Sequence, residues 1–329
     1  MSLSTVFKIC CVDNYSDFPK LSRILKIAYK IFTSLCNKAG RTIFTRKQNP
    51  VMNTFLMRSL AIVPLGLAVM SLMTSCKGKD ENVGKDTTKV VAKGPTPGDT
   101  IKLDPNKRYI YLTWDDAPQP PGTNMCRRVF QEQGVKATFF GVGFNMFEPS
   151  RRRMVDSIRA AYPQFLLANH SFSHGEQDHY KDFYTHPDSA VNDFLHNEQL
   201  MKVAVKIIRM PGSNSWVGKD LNKGPQSAKL VRDRLDSMGY KVIGWDLEWN
   251  QKGGSKAPLQ TPQQMVDAIN QRFEQEYTTE PNAIVILSHD RLFGTQQYAD
   301  SLTKFIQLLK QDPRNVFETI DHYPLVMRK

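Results

Sequence analysis

Five short clusters occur in a fixed order along this chain: Thr113-Trp114-Asp115-Asp116-Ala117-Pro118, His170-Ser171-Phe172-Ser173-His174, Arg209-Met210-Pro211-Gly212, Asp246-Leu247-Glu248-Trp249 and Leu287-Ser288-His289. His170 and His174 are four apart, so a helical turn or a tight loop can point both rings the same way. Two neutral imidazoles and a carboxylate leave an open position on a zinc ion for water. Asp115-Asp116 supplies two adjacent carboxylates, of which one can bind the metal while the other stays free as a base. An arginine and a separate histidine complete the inventory of a hydrolase with one metal ion. Each cluster alone has a blander meaning. H-x-x-x-H is more often a pair of surface histidines, and Asp-Asp before Pro more often a turn or a helix cap. The ordered set is what carries weight.

Those clusters need elements to position them. From residue 108 onward, short apolar runs alternate with longer amphipathic ones. Strands are predicted at 109–112, 137–142, 165–168, 205–208, 240–243 and 283–287. Helices are predicted at 126–133, 151–160, 188–203, 227–238, 262–277 and 298–309, with Gly134 and Gly239 as stops just past an apolar turn. This alternation implies a parallel sheet. Asp115, His170, Arg209, Asp246 and His289 each fall just after a predicted strand, the end that carries active sites in parallel α/β folds. A barrel places all strand ends around one mouth and is preferred to an open sheet.

The 329 residues allow one large or two ordinary domains. The net charge of +12 is concentrated at the N-terminus: residues 1–51 hold nine Lys/Arg against two Asp, and Arg58 adds one more, leaving about +4 for residues 76–329. No basic stripe with interleaved aromatics occurs there, so nucleic-acid binding is not expected. Residues 52–76 read as an export signal. A short basic start is followed by thirteen apolar residues at 60–72, too short a run to span a bilayer, which ends at Met73-Thr74-Ser75-Cys76. This resembles the lipobox of bacterial lipoproteins, which implies lipid on Cys76 and a place in the bacterial cell envelope. An n-region of nearly sixty residues is implausible, so translation is expected to begin at Met52, with 1–51 a doubtful extension. Residues 77–105, rich in Lys, Gly, Pro, Thr and Asp, read as a flexible tether, and 106–329 as the folded domain. Beyond Cys10, Cys11, Cys36 and Cys76, only Cys126 remains, so the domain forms no internal disulfide.

Over about residues 108–323 the chain resembles the polysaccharide deacetylases with a NodB-homology domain, carbohydrate esterase family 4. The family's first motif, commonly T-F-D-D-G-P, stands here as Thr113 to Pro118 with Trp114 and Ala117 substituted. His170 to His174 matches H-[ST]-x-x-H, Arg209-Met210-Pro211 matches R-x-P with Gly212 where many members have Tyr, and Leu287-Ser288-His289 matches L-x-H. The fourth motif, Asp246 to Trp249, keeps the acid and the tryptophan but is short. The resemblance implies a distorted (β/α) barrel with the active site at the C-terminal strand ends. It also implies a divalent ion on Asp116, His170 and His174, zinc first and cobalt or nickel as alternatives. Asp115 would be the base that deprotonates the attacking water, Gly212 the oxyanion donor after Pro211, and His289 the acid that protonates the departing amine. Arg209 would hold Asp115 ionised, and Asp246, with Glu248 as the alternative, would pair with His289. Trp249 and Leu287 would line the acetyl pocket.

The implied substrate is an N-acetylated amino sugar in a polysaccharide such as peptidoglycan or a chitin-like glycan. Alternatives are an O-deacetylase on acetylxylan-type esters, a non-catalytic glycan-binding lipoprotein, and a small-molecule amidohydrolase. No protein partner is required by any of them. His179, His186 and His196 read as surface residues, and Trp216 as either a sugar-stacking platform or the cover of a core edge.

Overall fold

The computed structural model describes residues 96–328. The extension, the signal-like segment with Cys76, and residues 77–95 of the tether lie outside the described residues. The last ten residues assigned to the tether already touch the domain: Gly98 N–H donates to Asp321 Oδ2 at 3.1 Å, and Asp104 N–H to the Tyr109 hydroxyl at 2.8 Å. Among the described residues, Cys126 is the one free cysteine and is buried.

Ten strands form one curled mixed sheet, a half-barrel wrapped by helices. In chain order they are β1 (Arg108–Ala117), β2 (Ala137–Gly141), β3 (Phe165–Asn169), β4 (Ile207–Ile208), β5 (Trp216–Gly218), β6 (Leu221–Lys223), β7 (Lys241–Val242), β8 (Leu247–Glu248), β9 (Ala283–His289) and β10 (Asn315–Phe317). The spatial order is β6-β5-β7-β4-β3-β2-β1-β9-β8, with β10 alongside the start of β1. All pairings are parallel except those of the β5–β6 hairpin, which joins β7 antiparallel. The hydrogen-bonded path therefore ends at β6 on one side and β8 on the other. The sheet curls without closing.

The helices are α1 (Gly122–Glu132), α2 (Pro149–Ala160), α3 (Tyr180–Thr185), α4 (Pro187–Met201), α5 (Lys229–Ser237), α6 (Pro262–Glu274), α7 (Gln296–Leu309) and the short α8 (Pro324–Met327). Strand alternation divides the core. Ile110, Leu112 and Trp114 of β1 face outward onto Phe130 of α1, Ile158 of α2, Ile269 of α6 and Phe305 of α7. Tyr109 and Tyr111 face inward onto Phe140, Val285, Trp216 and Tyr323. Each predicted strand and helix is present, shifted by a few residues. The hairpin, β8, β10 and α3 are additions, all too short to show a period in the sequence.

The base of the half-barrel is held by charge. Glu318 takes both carboxylate contacts of Lys136 Nζ, at 2.7 and 2.8 Å, and lies 3.0 Å from His322 Nδ1. Burial works against the charge on Glu318, but His322 and Lys136 outweigh it and hold its pKa at about 2. Against burial, the same pairing pushes His322 up. The Glu318 contribution to stability is therefore complete above its ordinary value near 4.5 and fades as pH falls toward 2. That of His322 is complete below its ordinary 6.5 and is lost as pH rises through the raised value. Glu318→Gln is expected to cost ~1–3 kcal/mol in urea unfolding at neutral pH, a difference that shrinks on acidification. A cost independent of pH would contradict this pairing.

Candidate metal centre and active-site pocket

A regular strand would send Asp115 and Asp116 to opposite faces. Instead, the register with β2 slips: Asp115 lies opposite Phe140, Ala117 opposite Gly141, and Asp116 between them takes a φ of 72°. This bulge turns both carboxylates toward His170 at the end of β3. The His170 Nε2 atom lies 3.4 Å from Asp115 Oδ2 and 3.7 Å from Asp116 Oδ1. Its Nδ1 meets the Arg209 carbonyl at 2.9 Å. A carbonyl only accepts, so Nδ1 carries the proton and the Nε2 lone pair faces the acids. Burial lowers the His170 pKa and favours this neutral form.

His174 opens a left-handed turn that runs to Asp178, with φ values from 55° to 72°. Only Gly175 adopts this region without cost; for the others it is about 1–2 kcal/mol per residue. Side chains hold the turn in place. Ser171 Oγ accepts from Gly175 N–H, Ser173 Oγ from Glu176 N–H, and Asp193 Oδ1 from the Phe172 and Ser173 amides. The result is that His174 Nδ1 sits 2.6 Å from Asp178 Oδ1, while Nε2 comes 3.1 Å from Asp116 Oδ1.

One ligand atom from each of Asp116, His170 and His174 lies within 4.8 Å of the other two. Asp116 Oδ1 is buried without an aligned hydrogen-bond donor. Its other oxygen accepts from Arg291. Burial opposes the Asp116 charge, but His174 and the neighbouring His289 and His170 rings hold its pKa far below the usual carboxylate range. A carboxylate and two imidazoles oriented by their Nδ1 partners fit a divalent cation.

Arg209 is fully buried beside this centre. It donates to Asp115 Oδ1 at 2.9 Å, to the Thr113 hydroxyl at 2.7 Å, and to the carbonyls of Ile243 and Gly244 at 3.2 and 2.8 Å. Its guanidinium carbon stands 4.3 Å from the centre of the Phe140 ring. Asp115 Oδ1 is thereby fixed as an acceptor, with Oδ2 on the side of His170.

The pocket has a volume of about 460 Å³ and is bordered by Asp115, Asp116, His170, His174, Gly212, Leu287 and His289. Gly212 holds φ at 61°, and a Cβ there would stand 2.6 Å from the Tyr180 ring. Tyr180 thus occupies the space that a side chain at 212 would take. Pro211 is buried one residue away, with its carbonyl accepting from the Tyr184 hydroxyl at 2.6 Å.

Two expectations need correction. Asp246 does not pair with His289: its carboxylate accepts from the Thr279 amide and hydroxyl and from the Val285 amide, at 2.7 to 2.8 Å. The register explains this. Asp246 N–H bonds to Val285, and Glu248 is level with Leu287, so Asp246 sits four residues before His289, about 13 Å along the strand. Glu248 is the acid that borders the pocket, its pKa raised by burial and by the Asp115 charge. No carboxylate among the described residues is within ion-pairing distance of His289, whose pKa burial lowers against the pull of Asp116 and Asp115. Trp249, one step past Glu248, points to the opposite face. It is fully buried against Phe293 and Phe305 and donates to the Gln260 carbonyl.

His179, His186 and His196 are exposed, as expected, and Trp216 is 3% exposed against Tyr323, a core cover rather than an open platform. Sequence reasoning missed Arg291, Gln119, Asn145, Tyr180 and Trp245, all at the pocket. Arg291 stands two residues past His289 and was the one with a signal of its own.

The polysaccharide deacetylase family model matches residues 102–230. This span contains Asp115, Asp116, His170, His174, Arg209 and Gly212, and ends before Glu248 and His289. The chain is 23% identical over 311 residues to a chitin disaccharide deacetylase of Vibrio alginolyticus, covering 66% of this chain and 71% of that one. Among solved structures it is similar to a polysaccharide deacetylase from Bacillus cereus, with 21% identity, 67% and 96% of the two chains covered, and a TM-score of 0.45. It is also similar to a carbohydrate esterase family 4 enzyme of Streptococcus mutans, with 22% identity, 65% and 86% covered, and a TM-score of 0.48.

In the metal-free chain, Asp115→Asn is expected to lower the His289 pKa, read from its ring resonances by NMR, because the Asp115 charge raises it. Asp246→Asn is expected to leave His289 unmoved and to cost ~1–2 kcal/mol of stability. An equal shift of His289 in both variants would restore Asp246 as its partner.

Proposed function

We propose that this chain is a metal-dependent deacetylase that hydrolyses the N-acetyl group of amino sugars in a glycan of the peptidoglycan or chitin type. The observation that carries this reading is the convergence of Asp116, His170 and His174 on one point, with Asp115 held beside it by a buried arginine. The polysaccharide deacetylase match over 102–230 and the name of the Vibrio relative support the glycan class.

A divalent cation on those three residues, zinc first and cobalt or nickel as alternatives, would polarise the acetyl carbonyl and acidify water. Asp115, oriented by Arg209, takes a proton from the attacking water through Oδ2. The backbone N–H of Gly212 is available to the oxyanion that develops on the acetyl carbonyl oxygen. His289, across the pocket, delivers a proton to the nitrogen as the carbon–nitrogen bond breaks. One water is consumed, and acetate and a free amine leave. Leu287 gives the acetyl methyl an apolar wall, and Glu248 supplies negative charge near the pair of Asp115 and Arg209.

The lipobox-like Met73-Thr74-Ser75-Cys76 supports export and lipid anchoring of the same protein in a bacterial envelope. Cys76→Ser is expected to abolish detergent-phase partitioning, and partitioning unchanged in the variant would rule the anchor out. For the site, Asp116→Ala and His170→Ala are expected to lose bound metal, measured by elemental analysis. Asp115→Asn is expected to keep it while acetate release from N-acetylglucosamine oligomers or peptidoglycan falls ~10²-fold or more. Metal retained at full occupancy in both ligand variants would overturn the ligand assignment. Release from acetylxylan alone would move the reaction to esters.

A further inference from the structure

Arg291, Gln119 and Asn145 border both the catalytic pocket and a neighbouring cavity of about 450 Å³. Each of the three also contacts Asp116. Arg291 and Gln119 reach its Oδ2, and Asn145 donates to its carbonyl at 2.8 Å. Beyond that shared wall the charge changes sign. The catalytic pocket is bordered by the carboxyl groups of Asp115, Asp116, Asp178 and Glu248. The neighbouring cavity is bordered by Arg151, Lys256 and Arg291, and by no acid among the described residues.

Two of these cations are poorly neutralised. Arg151 Nε is buried without an acceptor, and the Glu148 carboxylate stands 3.9 Å from it, too far for a hydrogen bond. Arg151 Nη1 has only the Asn145 carbonyl, at 3.5 Å. Lys256 is exposed and makes no ion pair among the described residues. Arg291 is committed to Asp116 and, through Nε, to Gln251 Oε1 at 3.2 Å. Like charges gathered around one cavity repel each other unless an anion joins them.

The backbone adds to the same sign. Gly122, the first residue of α1, Arg151 in the first turn of α2 and Thr295, the N-cap of α7, all border the cavity. The amide end of a helix is electropositive, and an acid in the first turn offsets it. None of these three helices has one. Glu148 precedes α2 without capping it, and the helix opens Pro149-Ser150-Arg151-Arg152-Arg153. Guanidinium, ammonium and helix amides are the donors that a carboxylate or a phosphate selects. The same anion in the catalytic pocket would face the carboxylates there.

We infer that this basic cavity is a receptor for one negatively charged group carried by the substrate, a carboxylate or a phosphate, so that the chain acts on an acidic glycan in preference to a neutral one. This rests on the glycan deacetylase reading and adds charge to the substrate class. Arg151 and Lys256 are specificity-determining residues remote from the reacting atoms. Arg291 stands between the two sites and holds Asp116 on one side while facing the anion on the other.

The test uses the disaccharide of N-acetylglucosamine and N-acetylmuramic acid with its lactyl carboxylate free, and the same disaccharide with that group blocked as the methylamide. Length and sugars are then constant, and only the charge differs. Acetate release by the zinc-loaded full chain gives kcat/KM, and calorimetry gives affinity. Wild type is expected to favour the acid about tenfold in both. The double variant Arg151→Gln, Lys256→Gln, neither residue of which borders the catalytic pocket, is expected to lose that preference with turnover of the methylamide unchanged. Arg151→Lys with Lys256→Arg is expected to recover it. Inorganic phosphate, titrated into the metal-free full chain, is expected to bind wild type and to bind the double glutamine variant about tenfold more weakly. An acid preference equal in wild type and that variant, or no preference in wild type, would overturn the receptor. Phosphate binding without any preference between the disaccharides would overturn it too, leaving a site for free anions only. An acid preference in binding that needs Arg151 and Lys256, without acetate release, would support the receptor and sink the deacetylase reading instead.

Discussion

A guanidinium with no exposure to water needs partners for its donors, and Arg209 finds them on β1 and just past β7. It ties Thr113 and Asp115 of β1 to the carbonyls of Ile243 and Gly244 beyond β7, and its own carbonyl orients His170 beyond β3. Burying such a pair costs desolvation that the contacts must offset, whereas removing one partner leaves a bare charge worth about 3–5 kcal/mol. The arginine therefore fixes the spacing of the strand ends as well as the orientation of Asp115. Asp115 and the His170 imidazole are set by one side chain and one carbonyl of the same residue.

Two backbone distortions bring Asp116 and His174 to that frame. The bulge at Asp116 lets neighbouring carboxylates share a face, which regular pleating forbids. The left-handed turn from His174 to Asp178 swings the second imidazole back over Asp116. Both place non-glycine residues at positive φ, a cost that persists only where surrounding contacts over-determine the conformation. The serine, asparagine and aspartate side chains around them, from Asn145 on the Asp116 carbonyl to Asp193 on the Phe172 amide, supply those contacts. Among the described residues, six of the ten non-glycine residues at positive φ, Asp116, Ser171, His174, Glu176, Gln177 and Asp178, lie at or beside these two distortions.

How much of this the sequence carried depends on the scale of the feature. Alternation of residues 109–112 and 283–287 located the central strands, and the motif order located the rim. Of the residues singled out by the family resemblance, Asp115, Asp116, His170, His174, Gly212, Leu287 and His289 border one pocket, and Arg209 is buried behind Asp115. Asp246 and Trp249 went astray because β8 is two residues long, and a single step of register decides which side chain faces the pocket. Tyr180 and Trp245 carry no motif. Tyr180 fills the space left by the absent side chains at Gly175 and Gly212, and Trp245 is held by Asn214, for which Gly244 leaves room. Residues on short elements are fixed by tertiary contacts, which periodicity does not encode.

The proposed chemistry is that one divalent cation on Asp116, His170 and His174 enables Asp115 and His289 to split an acetamide. The most direct check is to count acetate and newly exposed amine released from an N-acetylated glycan by the full chain, first stripped with a chelator and then restored with one equivalent of zinc. The account predicts no release from the stripped chain and, after restoration, acetate and amine in equal amounts. Equal release with and without the metal, or acetate without matching amine, would contradict it.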